Sequence, residues 1–276
     1  PAGEIPNGAS ILTAGVDVQD NRVAIGLYAW GSGEECWLIS HTEIYGDPAA
    51  MKLWSQVDDV LLRDYPHEGG GVVRPVAIGV DSGGHYTSEV YTYARQRQRN
   101  GVFALKGQSI RNKPPIGKPS KVDINYKGQV LKSSAELFPV GVDTIKSSLF
   151  GRLKHNEIGP GYIHFHAEAG HEYFKQLTAE RQVIRYVKGF AVREWKKKAG
   201  DRNEALDCFV YSYSALHYLY MRYNRNTIFA QFEKKLGKVT EKGDKDELTS
   251  NKPIESPYRP PQRRMQRPSS SFVTSW

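Results

Sequence analysis

Three aspartates lie where the backbone pattern would direct their carboxylates toward one place. Asp17 lies within the apolar run 11–18, Asp81 directly follows a second apolar run, and Asp207 lies in the apolar helical pattern of residues 202–223. A carboxylate inside an apolar segment is costly to bury unless another group compensates its charge. The pattern therefore predicts that these acids share a partner.

The chemistry of such a cluster follows from its charge. Two carboxylates about 4 Å apart repel by about 4 kcal/mol at an effective dielectric of about 20, and a divalent cation removes that repulsion. Ligand sets made only of oxygen suit Mg²⁺ or Mn²⁺. Two such ions can activate a water and stabilise the leaving oxygen of a phosphodiester. Asp17, Asp81 and Asp207 therefore predict a site for two Mg²⁺ or Mn²⁺ ions that cleaves phosphodiesters.

The elements that position these acids begin with a three-strand meander. An apolar run at 11–18, a loosely alternating segment at 23–30 and a third strand at 36–44 are separated by turn residues. Asp47 and Pro48 then predict the start of a helix that reaches about residue 62. A buried strand at 72–80 precedes Asp81, a helix is expected to follow it through residue 99, and a short strand at 102–105 leads to Lys106.

The second half of the chain predicts smaller elements. Residues 108–128 hold three prolines among many basic residues and predict a mobile basic loop. We expect a strand at 137–142, a helix at 143–153, a strand at 162–166, a helix at 172–179 and a hairpin at 183–195 that turns at Lys188 and Gly189.

The order of acids and elements resembles the ribonuclease-H-like layout. An acid on the first strand, a meander, a helix, an acid ending the fourth strand and an acid on a late helix predict an α/β fold with a mixed sheet flanked by helices. In that fold the fourth strand lies beside the first, so Asp81 is preferred over Asp143 as the second ligand. Asp143 stays open as its rival and is otherwise expected to cap a helix, as are Asp201 and Glu204 together.

Two domains of unequal character are predicted. Residues 1–223 form the ribonuclease-H-like domain, and residues 224–276 are polar and aperiodic and predict a disordered basic tail. The tail ends in the apolar residues Phe272, Val273 and Trp276. These residues are either a tethered recognition peptide or chance aromatics at a terminus.

The net charge of the chain indicates which class of partner it binds. Its net charge is +8, which suits a polyanion such as nucleic acid. The basic residues Arg193, Lys196, Lys197 and Lys198 of the hairpin, together with Lys106, are candidates for binding DNA phosphates, and a solvated charge run is the alternative. His85 is a possible metal or phosphate contact or a loop histidine. His164 and His166 alternate on a strand, but without a third ligand they are interpreted as structural.

Several functional classes are excluded. Cys36 and Cys208 are the only cysteines, too few for a disulfide framework or a cysteine-rich zinc site, and they fit a reducing compartment. The sequence contains no Walker A pattern, so we expect no ATPase site in this chain. It also contains no signal peptide and no apolar run long enough to span a bilayer, and because it begins at Pro1 it is expected to be a segment of a longer protein.

Four ordered segments carry a resemblance to a known family. They are Leu12–Gln19, Val80–Gly83, Gly141–Lys146 and Asn203–Asp207. Together they resemble the nuclease half of the lambda-type terminase large subunit of tailed phages, over roughly residues 10–222.

The resemblance implies a function and partners. It implies an endonuclease that cuts concatemeric phage DNA in the host cytoplasm, with Asp17, Asp81 and Asp207 as ligands of Mg²⁺ or Mn²⁺. It further implies an N-terminal packaging ATPase half, a small terminase subunit that recognises the site, and docking of the extreme C-terminus on the procapsid portal. Cellular ribonuclease H enzymes add a glutamate on the first helix, where this sequence offers only Asp58 and Asp59.

Two alternatives to this function remain. One is a non-catalytic module that links a packaging motor to DNA and portal, and the other is a different ribonuclease-H-like nuclease such as a junction resolvase. Three acids at one place argue against the first, because binding alone needs no metal cluster. The apolar residues at the end of the tail argue against the second.

Overall fold

The computed structural model of the protein describes residues 1–126 and 129–237. Twelve strands are assigned within these residues: β1 Ala9–Val18, β2 Arg22–Gly31, β3 Cys36–Tyr45, β4 Tyr65–Pro66, β5 Val72–Val73, β6 Pro75–Asp81, β7 Val102–Gln108, β8 Ser120–Tyr126, β9 Gln129–Gly141, β10 Ile163–His164, β11 Glu180–Val187 and β12 Phe190–Lys197. The helices with numbered labels are α1 Met51–Leu61, α2 Thr87–Gln96, α3 Val142–Arg152, α4 His171–Leu177 and α5 Glu204–Tyr220, and residues 228–237 are helical as well.

Eight of the strands form one mixed sheet in the order β10-β3-β2-β1-β6-β7-β9-β8. The meander β1–β3 is antiparallel, whereas β6 pairs with β1, β7 with β6 and β9 with β7 in parallel. The fourth strand of this sheet, β6, therefore lies beside the first, which confirms the predicted ribonuclease-H-like α/β fold. Because β1, β6, β7 and β9 are parallel, their carboxyl ends meet at one edge of the sheet, which we call the acidic edge.

Helices cover both faces of the sheet. The helices α3, α4 and α5 pack against one face, and α1 and α2 pack against the other, each over its own hydrophobic core. Every residue of β1 is buried as a result. A strand covered on both faces has no need of alternating polarity, which explains its nearly continuous apolar sequence.

The long helix α5 lies directly on β1 and β2 because two glycines remove the side chains between them. Gly15 of β1 pairs across the strands with Gly26 of β2. A Cβ atom at Gly15 would overlap the backbone carbonyl oxygen of Cys208, and one at Gly26 would come within 2.8 Å of the Cys208 Cβ. The helix therefore approaches the sheet more closely than side chains at these positions would allow.

Some boundaries differ from those predicted. The helix α1 begins at Met51 rather than near Asp47, which instead accepts a hydrogen bond of 2.8 Å from the backbone N–H of Ala49 in the preceding turn. The predicted loop 108–128 contains a strand, β8, that pairs with β9. The sequence did not predict β8 because its side chains are largely polar, and a strand at the edge of a sheet needs few apolar residues.

The fold also continues past the predicted boundary at residue 223. Residues 228–237 are helical, and Ile228, Phe229 and Phe232 are buried in the core that contains α5. Arg225 forms an ion pair with Glu34. The start of the predicted tail therefore belongs to the folded domain, whereas Phe272, Val273 and Trp276 lie outside the described residues.

None of the helices in the described part of the chain is long and apolar enough to cross a membrane.

The close approach of α5 predicts a large cost for a single methyl group. Gly15→Ala places a Cβ against helix backbone that cannot rotate away, so we expect the free energy of unfolding to fall by about 3 kcal/mol. Urea denaturation measures it. Gly151→Ala is the matched control, because Gly151 lies within α3 with nothing within 4 Å of an added Cβ. It should stabilise the domain by roughly 0.5–1 kcal/mol. Equal effects at the two positions would contradict this account of the packing.

Candidate active site at the acidic edge

The three predicted acids all reach the acidic edge. Asp17 is the second-last residue of β1, Asp81 is the last residue of β6, and Asp207 lies in the first turn of α5. Val16 pairs with Val80 in the parallel register, so Asp17 and Asp81 follow neighbouring positions on adjacent strands. The helix α5 brings Asp207 to the same place from the face above.

Asp17 is almost completely buried, with 3% of its surface exposed. Its Oδ2 accepts a hydrogen bond of 2.6 Å from Nε2 of Gln19, two residues along the chain. Burial raises the pKa of Asp17 well above its ordinary value, and the nearby charges of Asp207 and Asp81 raise it further. The ionised form of Asp17 is therefore uncompensated at this edge.

Asp81 and Asp207 are half-buried and are also held by neighbours. Asp81 accepts a hydrogen bond of 3.1 Å from the Gly83 backbone N–H and another from the Tyr211 hydroxyl, while burial raises its pKa. Asp207 Oδ2 accepts a hydrogen bond of 2.7 Å from Asn203 Nδ2. Burial raises the pKa of Asp207 to about 6, in spite of a nearby lysine that lowers it.

That lysine is Lys146, which the sequence did not single out as a site residue. It is buried on α3, with its Nζ 2.6 Å from Glu180 Oε1 and 3.4 Å from Asp207 Oδ1. Asn203 Nδ2 also donates to Glu180, at 2.9 Å. A single ammonium thus neutralises part of the acidic charge, and it joins α3, the start of β11 and α5.

A fourth acid, Glu204, lies near Asp17 and raises its pKa slightly. It was predicted to cap α5 together with Asp201, but the N-cap of α5 is Asn203 and no side chain caps it. Glu204 instead pairs with Arg22 and Arg202. Because two guanidinium groups neutralise it, Glu204 belongs to the packing around the cluster.

Asp143 reaches the same edge at a different position. It lies in the first turn of α3, whose N-cap is Gly141 and has no side-chain hydrogen bond, so the predicted cap is wrong. The strand before it, β9, is three strands away from β1 and two from β6. Neighbouring strands lie about 4.8 Å apart, so Asp143 is farther from Asp17 than Asp81 is. Its carboxylate is 4.0 Å from Nε of Arg111.

The histidines considered as ligands have other neighbours. The exposed side chain of His85 lies 2.8 Å from Asp20, in the turn after β1. His164 stacks on Trp37 and hydrogen-bonds to Glu35 at 2.6 Å. These contacts agree with the structural interpretation of His164.

Asp58, an acidic residue of the first helix, also has a structural role. Asp58 forms an ion pair with Arg97 and accepts a hydrogen bond from the Tyr93 hydroxyl at 2.9 Å. It therefore holds α1 against α2 and its carboxylate is neutralised there.

The predicted basic residues lie on two elements. Lys106 is exposed on β7 beside Asp81, whose pKa it lowers. Arg193 and Lys196 lie on β12 and Lys198 follows it, all three exposed, although Lys196 pairs with Glu194 at 2.9 Å. Lys197 is already engaged, because its Nζ donates to the Asn203 side chain at 2.9 Å.

The donor set fits a hard divalent cation in its chemistry. The cluster offers only carboxylate oxygens, and burial together with repulsion between the carboxylates raises the pKa of Asp17 and Asp207. Within residues 1–126 and 129–237, no group of three or more His, Cys, Asp or Glu side chains is placed so that it could hold a metal ion as it stands. Gln19, Asn203 and Lys146 contact the oxygens that such an ion would need.

Comparison with known families gives the context of this edge. The model of the terminase large subunit gpA endonuclease domain matches residues 1–228, which include every residue of the acidic cluster. The chain belongs to this family.

Two curated relatives agree with that assignment. The terminase large subunit of Escherichia phage lambda is 31% identical over 252 residues, which cover 86% of this chain and 37% of the relative. That of Enterobacteria phage P21 is 32% identical over 222 residues, which cover 77% of this chain and 33% of the relative. The chain thus spans about a third of the length of these relatives.

The raised pKa of Asp207 predicts a change in stability with pH. Its folded pKa of about 6 exceeds the ordinary value of about 3.9, so its ionised form destabilises the fold above pH 6. This penalty disappears as the pH falls through 6 toward 4. In EDTA at pH 7 we therefore expect Asp207→Asn to raise the free energy of unfolding by about 1–3 kcal/mol.

Urea denaturation at pH 7 and at pH 4.5 checks this expectation. The advantage of Asp207→Asn should shrink at the lower pH, where the wild-type carboxyl is already protonated. Asp143→Asn is the matched control, since it removes the same charge from the first turn of α3. It should lose roughly 0.3–1 kcal/mol through the helix dipole. A destabilised Asp207→Asn domain at pH 7 would contradict the assignment of uncompensated charge.

Proposed function

We propose that this domain is a Mg²⁺- or Mn²⁺-dependent endonuclease that cuts concatemeric phage DNA to generate genome ends during packaging. The observation that carries the proposal is the meeting of Asp17, Asp81 and Asp207 at one edge, where burial raises the pKa of all three and repulsion by neighbouring carboxylates raises the pKa of Asp17 and Asp207 further. Charge left uncompensated in this way favours a bound cation over an unliganded site. The family assignment agrees with nuclease chemistry at this edge.

The proposed ligands are these three aspartates, and two ions are expected between them. Bound there, divalent cations supply an activated water and stabilise the leaving oxygen of the phosphodiester. The protein's own contribution is to hold the carboxylates. Gly83 and Tyr211 orient Asp81 by hydrogen bonds. Gln19 and Asn203 hold Asp17 and Asp207 at the edge by hydrogen bonds in the same way.

Basic groups around the edge complete the proposed DNA site. Lys106 stands beside Asp81, where an ammonium can bind a phosphate oxygen of the strand that is cut. Arg193, Lys196 and Lys198 extend positive charge along the hairpin. Contacts of this kind bind any DNA sequence, so the recognition of the cutting site is assigned to the small terminase subunit.

The remaining partners are proposed on the basis of the family assignment. They are an N-terminal packaging ATPase half on the same polypeptide and the portal of the procapsid, in the cytoplasm of the host cell. The phage relatives are large subunits of terminases, of which this chain corresponds to about a third. Phe272, Val273 and Trp276 are the proposed contact with the portal.

Catalysis is tested by neutralising one acid at a time. We expect Asp17→Asn, Asp81→Asn and Asp207→Asn each to reduce the rate of Mg²⁺- or Mn²⁺-dependent cleavage of duplex DNA by orders of magnitude, because each removes a ligand charge. Cleavage of a supercoiled plasmid measures the rate, and end-labelling should show 3′-hydroxyl and 5′-phosphate products.

The control for this experiment is Asp143→Asn, at the same edge but outside the cluster. It should retain cleavage at saturating metal. Full activity of Asp17→Asn would overturn the proposed site. Loss of cleavage in Asp143→Asn with retention in Asp81→Asn would make Asp143, and not Asp81, the second ligand.

The C-terminal contact is tested in the full-length large subunit. Deletion of residues 271–276, which include Phe272, Val273 and Trp276, should abolish binding to the portal. DNA cleavage should not change, because the acidic edge is built from residues 17–207. A pull-down with purified portal measures the binding, and equal capture with and without these residues would remove the portal from this proposal.

A further inference from the structure

The hairpin of β11 and β12 forms a separate two-stranded sheet. Its strands pair in continuous register from Glu180 with Lys197 to Val187 with Phe190. Lys188 and Gly189 make the turn with φ values of 49° and 83°, the geometry of a tight hairpin turn that matches the twist of the strands. A lone two-stranded ribbon is marginally stable in water unless something else supports it.

The end of the hairpin, residues 184–190, exposes large apolar side chains on both faces. Tyr186 is 73% exposed and Ile184 61% exposed on one face. Phe190 is 76% exposed and Val187 37% exposed on the other face, since side chains alternate along a strand and directly paired residues share a face. Apolar surface of this size on both sides of a ribbon indicates a partner that surrounds it.

The charge of the hairpin identifies the chemistry of that partner. Residues 180–197 contain six Lys or Arg and two Glu. Both glutamates are paired, Glu180 with Lys146 and Glu194 with Lys196. Glu194 also lies 3.7 Å from Arg185. Lys188 and Arg193 therefore present positive charge beside the exposed aromatics, which favours a polyanion over an apolar protein surface.

The base of the hairpin is fixed next to the acidic cluster. Trp195 stacks on Phe150 of α3 with ring centroids 4.9 Å apart. Glu180 and Lys197 both contact Asn203, which in turn holds Asp207. DNA bound at the acidic edge therefore passes beside the hairpin, at a distance set by these contacts.

We propose that residues 184–190 enter the major groove of the duplex bound at the acidic edge, with Tyr186 and Phe190 against the groove and the basic residues on its phosphates. The major groove is about 12 Å wide and admits a two-stranded β-ribbon, covering both of its faces at once. A flat protein surface would cover one face and leave the other in water. This inference rests on the proposed function, because it requires duplex DNA at the acidic edge.

The experiment separates apolar contact from charge. Tyr186→Ser with Phe190→Ser should weaken binding of a short duplex about tenfold, measured by fluorescence anisotropy in EDTA over a range of salt. The slope of log affinity against log salt should not change, since apolar contacts release no counterions. Arg193→Gln, Lys196→Gln and Lys198→Gln together should flatten that slope by up to ~3.

The matched control is Ile158→Ser. Ile158 is 73% exposed but precedes β10, which pairs with the start of β3 at the opposite end of the sheet. It should bind DNA like the wild type. Unchanged DNA affinity in the Tyr186→Ser, Phe190→Ser variant would overturn the inference, and loss of portal binding instead would assign these residues to a protein partner.

Methylation by dimethyl sulfate tests the groove. Wild-type protein should protect guanine N7 in the major groove, and the double serine variant should lose that protection. Protection of adenine N3 would place the hairpin in the minor groove and contradict the choice of groove. A wild-type domain that cleaves DNA but shows no such protection sinks this inference alone, whereas one that neither binds nor cleaves DNA contradicts the proposed function itself.

Discussion

The contact between α5 and β1 is the constraint on which the candidate site depends. Thr13 hydrogen-bonds to Ser212, Gly15 lies beneath Cys208, and Asp17 comes next along the same face of the strand. Two residues of strand advance about 6.6 Å and four residues of helix about 6 Å, so the antiparallel helix keeps step with the strand. The next step along α5 reaches Glu204, so the first turn of the helix, which also holds Asp207, lies near Asp17.

This geometry gathers charge that the protein compensates only in part. Raised pKa values at Asp17 and Asp207 mean that the ionised cluster opposes folding, while Lys146 reduces the repulsion without removing it. The same lysine, with Glu180, links α3 and the hairpin to the acids. The ionised cluster thus lowers the stability of the fold at the proposed active site. The hydrophobic core around α5 offsets that loss.

The sequence by itself determined the elements whose burial is continuous and the acids placed on them. Apolar runs predicted β1 and β6, looser apolar patterns between turns predicted β2 and β3, and the helical pattern predicted α5, because a buried segment shows its periodicity locally. Asp17 and Asp81 were conspicuous for the same reason, since a carboxylate interrupts or ends such a run. The order of these elements was then sufficient to predict the ribonuclease-H-like fold.

Only the tertiary structure decided the partners of these acids. Lys146 and Glu180 are 34 residues apart, and Arg22 and Glu204 are 182 apart, so no local pattern pairs them. The sequence did not predict the β8–β9 extension or the helical segment 228–237, for a related reason. The few apolar residues of each segment pack against parts of the fold that are distant along the chain. A sequence pattern reports how much of a segment is buried, whereas the contact that buries it depends on chain positions far away.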